Sequence, residues 1–500
     1  MEQSVLEYLD RAAECWPERC AFCENEHQLT FSQLRQLAQR IGSSICRCVS
    51  AGNPVLVMTG RHVYTPACYL GVVCAGCFYV PMDAEMPLPR LDQIVQVMQA
   101  PLLLVDRAHL PVAQSLDFDG QIMVMEDALE APVEQELLRN AVRRLTDQSP
   151  LYVIFTSGST GIPKGVVTSH HALMCYIDDV QKVLALTDED ILGNQAPLDY
   201  IAAIRDIYLP LRTGAMTVIL PKTEFSVPIS LFETMNRYRV TTLCWSVSGL
   251  QLPVKMNAFQ CARPQFVNKV LFSGSVMPCR DLRVWQDALP DARFINQYGP
   301  TETTASCTCY PVQKRVSDTD VLPIGVPYDH YSVFLLNEDG TPAPDGEIGE
   351  ICVSGPCLAL GYYNQAEQTE KVFVQNPLNH SYREIIYKTG DLGAYRADGL
   401  LEFHGRKDRQ IKHLGHRIEL GEIEQTARQM DGIIDCCALY HSEKERLTLF
   451  YTGDRSKREI VLHFRNVLPA FMVPRSLVHL ETLPLLPNGK IDMRALEKQL

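Results

Sequence analysis

Apolar runs of four or five residues recur through the first half of the chain. They include PVLVM (54–58), PLLLV (101–105), LYVIF (151–155) and MTVIL (216–220). Such runs are too short for helices and are continuous rather than alternating, the pattern of strands buried on both faces. Between them lie helically spaced stretches, for example LTFSQLRQLAQRIGSSI (29–45). The N-terminal MEQSVLEYLDRAAECWPERC reads as an amphipathic helix. Buried strands alternating with helices predict an α/β fold of layered, largely parallel sheets. Near residue 400 the texture changes: DGLLEFHGRKDRQIKHLGHRIELGEIE (398–424) is dense in charge and glycine, and a helix-like segment and short strands follow it. A boundary at about Arg406–Arg409 divides a large N-terminal domain (1–406) from a small α+β C-terminal one (407–500).

Composition narrows the function. The chain has 500 residues at 46% apolar content, enough for more than one domain. A net charge of -13 argues against nucleic acid as a partner, since such proteins show a basic face. No run reaches the roughly 18 apolar residues of a transmembrane helix, and the N-terminus lacks a basic region followed by an apolar one. A cytosolic protein with no membrane partner is expected. The 18 cysteines read as reduced core residues. Cys20 and Cys23 form a CxxC, and Cys307 and Cys309 are near neighbours. A zinc site usually needs a second pair, and no companion CxxC or HxxxH is present.

Candidate chemistry enters at IFTSGSTGIPKG (154–165). A Gly/Ser/Thr loop between a strand and a helix can aim backbone N–H groups and hydroxyls at an anion. Glycine allows close backbone approach, and Lys164 adds a point charge for phosphate. A flexible surface loop could share the composition. The strand before it, the lysine, and the helix-like HHALMCYI after it favour phosphate. The stretch matches neither GxxxxGK[ST] nor GxGxxG, so a phosphate loop of another type is required.

TSGSTGIPKGV (156–166) resembles the phosphate loop of the acyl-adenylate-forming enzymes, the superfamily of acyl-CoA synthetases, luciferases and nonribosomal peptide synthetase adenylation domains. Further stretches resemble the family's other motifs, in the family's order and over essentially the whole chain. Early ones are LTFSQL (29–34) and GCFYVPMDAEMPLPRL (76–91); NQYGPTETT (296–304) and GEIGEICVSGPCLALGYYN (346–364) follow. Late ones are YKTGDLGAY (387–395), GRKDRQIKHLGHRIELGEIE (405–424) and LPNGKIDMRAL (486–496). The details lie nearest to amino-acid-activating adenylation domains and D-alanine–carrier protein ligases.

The resemblance implies two half-reactions. A carboxylate attacks the α-phosphorus of ATP, giving acyl-adenylate and pyrophosphate; a thiol then attacks the adenylate carbonyl and AMP leaves. By motif match, Thr156, Ser157, Gly158, Ser159, Thr160 and Lys164 would cradle the β- and γ-phosphates. Asn296 and Tyr298 would hold the adenine, Thr301 would contact the α-phosphate, and Glu302 would help to hold Mg²⁺. Asp391 would accept both ribose hydroxyls, with Arg406 in support. Lys490 would reach in from a mobile C-terminal domain during the first step. Rotation about a hinge at Asp408 would then bring Lys412 and Gly415 to the site for the second. Where the family often has QVKIRG this chain has QIKHLG, so its usual arginine is Leu414.

Counting back from Thr213-Gly214-Ala215, the family's ammonium-binding aspartate position falls on Ile201. Isoleucine cannot accept from an ammonium ion, and an unpaired buried ammonium is costly. Two readings stay open: the acid lacks a standard α-amino group, or Asp199 reaches in through a local shift. The same count places Ala202 and Arg205 on the pocket wall, where Arg205 could pair with a second substrate carboxylate or with Asp199. Gly249, Leu271, Ser273, Gln297, Ala305 and Ser306 would complete the wall. No carrier attachment motif follows Lys490 and no condensation domain precedes, which suggests a free-standing enzyme. The expected partners are therefore a small carboxylic acid and a separate phosphopantetheinylated carrier protein. Coenzyme A is the alternative thiol. A non-catalytic nucleotide-binding relative is disfavoured because Lys164, Glu302, Asp391 and Lys490 are all present.

Overall fold

The structure, a computed structural model, describes residues 2–158, 161–442, 444–486 and 490–500. The apolar runs form strands as expected: Pro54–Met58, Leu102–Val105, Pro150–Thr156 and Met216–Ile219. The helical pattern after residue 29 becomes Phe31–Cys46, capped at Thr30 by a reciprocal side-chain box with Gln33. The N-terminal helix is Val5–Cys15.

Among the described residues, two large sheets of nine and seven strands form the first layers. In the first, six strands are parallel, in the spatial order Cys20–Glu24, Met216–Ile219, Ile191–Asn194, Thr242–Ser246, Lys269–Ser273 and Arg293–Tyr298. In the second, Pro150–Thr156, Phe78–Pro81, Pro54–Met58, Leu102–Val105 and Gln121–Val124 are parallel. A third sheet of five strands, built from 332–406, is antiparallel throughout, a departure from the expected parallel pattern. One continuous core joins all three: it includes Tyr79 and Tyr152, Cys244 and Leu271, and Ile351 and Val353. Helix Thr65–Cys74 is buried at every residue, and helix Ile204–Thr213 at every residue but Arg212. Such all-round burial is that of a core helix.

From Gln410 onward the chain makes its own sheets. A two-residue turn joins Gln410–His413 to His416–Glu419, and Ile433–His441, Arg446–Gly453 and Ser476–His479 form a three-stranded sheet. Two apolar clusters there, one around Ile423 and Phe464 and one around Phe450 and Leu496, draw only on residues beyond 410. Among the described residues no helix is long and apolar enough to cross a membrane. All 18 cysteines are free, and most of them are buried.

Helices Phe31–Cys46 and Thr65–Cys74 meet through glycine. A Cβ on Gly71 would lie 2.6 Å from Ile41 Cγ2, and one on Gly42 2.7 Å from Cys74 Cβ. Gly71→Ala is expected to lower stability by about 1–3 kcal/mol through overpacking. Thermal unfolding checks this, and an unchanged midpoint would mean that the helices can part freely.

Candidate active site

The parallel strands of the nine-stranded sheet end together, with Ser246 level with Ser273 and Phe272 with Asn296. Carboxyl ends of such strands are where α/β sheets bind ligands. The segment after Tyr298 turns sharply there. A Cβ on Gly299 would lie 2.4 Å from Ser306 Cα, and Thr304 and Ala305 hold φ of 53° and 73°. Left-handed backbone at a β-branched threonine is strained, and such strain gathers at functional sites. The turn buries Thr301 and Glu302.

The glycine-rich loop does not sit between a strand and a helix, as its sequence suggested. It connects two antiparallel strands, Pro150–Thr156 and Lys164–Ser169, with Thr156 paired to Lys164; the helix starts only at His170. Lys164 is thus fixed by a ladder at the mouth of the loop. A Cβ on Gly158 would lie 1.9 Å from Ile162 O. Thr156 Oγ1 is buried without a hydrogen-bond partner among the described residues, and Ser157 Oγ donates to Arg417 O at 2.8 Å. Ser159 and Thr160 lie outside the described residues.

Charged groups converge between this loop and the Gln410–Glu419 hairpin. Arg417 Nη1 donates to both oxygens of Glu302, at 2.9 and 2.8 Å, and the Tyr362 hydroxyl donates to Oε1 at 2.7 Å. Burial alone would raise the Glu302 pKa; the Arg417 charge and the Tyr362 bond outweigh it and hold it below the ordinary value. Burial, then the Arg417 charge, push Lys164 down. Asp391 accepts from the Tyr298 hydroxyl at 2.6 Å and from Arg406 Nη1. Arg406 also grips Asp408 with two bonds, at 2.6 and 2.7 Å. Lys412 Nζ lies 5.7 Å from the centre of the Tyr298 ring, and burial pushes its pKa down against the pull of Asp391. Asn296 Nδ2 donates to Pro323 O at 2.8 Å.

The hairpin tip reaches further in. Leu414 and Gly415, at φ of 52° and 84°, are the two central residues of the turn, both left-handed as a type I′ hairpin turn requires. Leu414, at the family's arginine position, is thus an exposed turn residue. Tyr200 donates to Gly415 O at 2.7 Å, and a Cβ on Gly415 would meet Ser248 and Ser246. Behind the hairpin, Arg90 pairs with Glu422 at 2.7 Å, with both side chains buried. Lys490, by contrast, is exposed; the adjoining Ile491 packs with Cys437, Leu439 and Phe450 of the C-terminal sheet.

The expected pocket wall gathers around Arg205. Its Nη1 donates to Gln297 Oε1 at 2.7 Å and to Ser273 Oγ at 3.5 Å, its Nε donates to Ala202 O at 3.3 Å, and Ser306 Oγ donates to the same Gln297 oxygen at 3.4 Å. Leu271 and Ile201 face the main core. Gly249 lies against Gln195 and Ala305 in the strained turn. Asp199 forms no ion pair with Arg205 among the described residues; its charged neighbours are Asp83, Arg61 and Glu85. Burial and the Asp83 carboxylate push it up to about 7.

The family model for AMP-binding enzymes matches residues 9–363. The chain belongs to this family. It is 30% identical over 504 residues to tyrocidine synthase 1 of Brevibacillus parabrevis, covering 99% of this chain and 45% of that protein. It is also 30% identical over 501 residues to surfactin synthase subunit 1 of Bacillus subtilis (strain 168), covering 99% of this chain and 14% of that one. The chain thus spans less than half the length of either relative. Among solved structures, holo-PA1221, an NRPS protein containing adenylation and PCP domains bound to a vinylsulfonamide inhibitor, superposes with a TM-score of 0.82 at 25% identity. The match covers 100% of this chain and 84% of that one.

In this AMP-binding enzyme, Arg417, Tyr362 and Tyr200 are the contacts that sequence reasoning missed. Arg417 and Tyr362 both lie within the motifs quoted above, but nothing in their local sequence names Glu302 as a partner. Arg417→Ala would leave Glu302 buried with only the Tyr362 bond, a loss of about 3–5 kcal/mol for a broken buried pair. We expect a lower unfolding midpoint and faster hydrogen exchange across 410–419. Arg107→Ala, whose pair with Asp127 is 64% and 70% exposed, should change neither. Unaltered protection of the hairpin in Arg417→Ala would show that this pair does not hold it.

Proposed function

We propose that the protein activates a small carboxylic acid with ATP and passes the acyl group to the phosphopantetheine thiol of a carrier protein. The observation that supports this most is the cluster of buried and half-buried cations where the glycine-rich loop meets the hairpin. Lys164, Arg406, Lys412 and Arg417 face the carboxylates of Glu302, Asp391, Asp408 and Glu419. Four cations so close together suit an anion with several phosphates, and phosphoryl transfer is catalysed mainly by positioning and charge stabilisation. In the first step a carboxylate oxygen bonds to the α-phosphorus as pyrophosphate leaves. In the second a thiolate bonds to the acyl carbon as AMP leaves.

Within this reading Thr156, Ser157, Gly158 and Lys164 hold the outer phosphates. Tyr298, Asn296, Asp391 and Arg406 hold the nucleoside, and Thr301 lies at the α-phosphate. Glu302 would hold Mg²⁺, which would offset charge developing on the phosphates, since magnesium is usually held by one or two carboxylates. Arg417 occupies both Glu302 oxygens here. The first half-reaction therefore belongs to an arrangement in which the hairpin is withdrawn and Lys490 has replaced Lys412, with Asp408 at the hinge between residues 1–406 and 407–500. The arrangement seen, Lys412 inside and Lys490 exposed, fits the thiol step. The carrier is favoured as acceptor by the peptide synthetases among the relatives.

The test is acid-dependent exchange of labelled pyrophosphate into ATP, followed by thioester formation on a phosphopantetheinylated carrier or on coenzyme A. Lys490→Ala is expected to abolish exchange nearly completely while sparing thioester formation from preformed adenylate. Lys412→Ala is expected to do the reverse. Equal loss of both steps in both variants would overturn the division of labour, and turnover with coenzyme A alone would replace the carrier as acceptor.

A further inference from the structure

Helix Ile204–Thr213 is buried in the core, yet it carries Arg205 at 1% exposure. A buried guanidinium calls for a carboxylate. Among the described residues none lies within ion-pair distance of Arg205. Its hydrogen-bond acceptors are the neutral oxygens of Gln297, Ser273 and Ala202, and the Tyr176 hydroxyl also lies against the guanidinium. Asp199, the one protein carboxylate the sequence suggested, sits with Asp83, Glu85 and Arg61 instead. Asp206 follows directly in the helix, where successive side chains point apart. Its carboxyl accepts from Asn194 at 2.7 Å and attracts Arg205 through space without forming an ion pair with it.

Gln297 shows where the guanidinium points. Alternate residues of a strand face opposite sides. Asn296 and Tyr298 therefore share one face of their strand, where Tyr298 binds Asp391. Gln297 and Arg205 lie on the other. The two faces meet at the strand's carboxyl end, above the tight Gly299 turn. A nucleotide on the Tyr298 face would leave an acid to extend along the Gln297 face, towards Arg205.

We propose that Arg205 makes this site select an acid bearing a second carboxylate, held by the guanidinium at the end remote from the reacting one. The proposal rests on the acid-activation reading above. Gln297 and Ser273 then act as neutral props that orient the guanidinium, and Ile201 supplies apolar wall between the two carboxylates.

Pyrophosphate exchange with matched pairs tests it: succinate against succinamate, aspartate against asparagine, and glutamate against glutamine. At least one dicarboxylate should exceed its monoamide in kcat/KM by about 100-fold, the scale at which a polar site rejects an analogue lacking its partner. Arg205→Met should reduce that ratio towards unity, and Arg205→Lys should restore part of it. Equal rates within every pair in the unaltered protein would overturn the proposal while leaving acid activation standing. Exchange with no acid of any class would overturn both. Should Arg205→Met fail to fold, the ratios of the unaltered protein and of Arg205→Lys decide.

Discussion

Two cations stand directly opposite one another on a single hairpin, and the site is organised around tolerating them. Lys412 and Arg417 are cross-strand partners in the Gln410–Glu419 ladder. Like charges so placed repel, and here both are withdrawn from water. They are tolerable only because each meets a carboxylate from the body of the protein. Arg417 meets Glu302, fully buried, and Lys412 is drawn to Asp391. Remove the body of the protein and the hairpin face loses its compensating charge. The hairpin's position is therefore an electrostatic consequence of the site rather than of packing alone.

That constraint explains several features that look unrelated. The Tyr362 hydroxyl on Glu302 completes the shell of a carboxylate that would otherwise be only half satisfied in the interior. Arg406 holds Asp391 and Asp408 at once, and so ties the last two strands of the third sheet to the segment just before the hairpin. Arg90 and Glu422 repeat the device on the far side, again with one partner from each part of the chain. Three buried or half-buried arginine–carboxylate pairs thus define one seating of the C-terminal sheets. Replacing these arginine partners with a polyphosphate, or with a metal on Glu302, would favour another seating. A charge-based latch of this kind can be opened by the substrates themselves.

Much of this was legible in the sequence. Continuous apolar runs gave the buried strands, because a strand covered on both faces leaves no polar periodicity to misread. The glycine-rich stretch was legible as an anion loop from residue types alone. Its setting was not: the strand Lys164–Ser169 is as apolar as a helix start, and only pairing with Pro150–Thr156 distinguishes the two. The antiparallel third sheet was missed because its strands, such as Ile385–Tyr395, carry polar and glycine residues rather than continuous apolar runs. Arg417 escaped notice because it sits in a charged run whose separate roles appear only once Lys412 and Arg417 are placed in register. Asp199 and Ile201 were set out as alternatives, and no local pattern could decide between them. The structure puts Asp199 among other acids and Ile201 in the core.

The core helix Ile204–Thr213 shows how fold and specificity are coupled. Its own Tyr208 shares a buried hydroxyl pair at 2.9 Å with Tyr79 of strand Phe78–Pro81, so the helix is fixed against the seven-stranded sheet on one side. On the other side Arg205 reaches Gln297 and Ser273 on two adjacent strands of the nine-stranded sheet. A side chain braced from both layers has little freedom to swing away, and a guanidinium presents its donors in a fixed fork. Its direction is therefore set before any ligand arrives. The cost of desolvating that charge is what the proposed second carboxylate would offset.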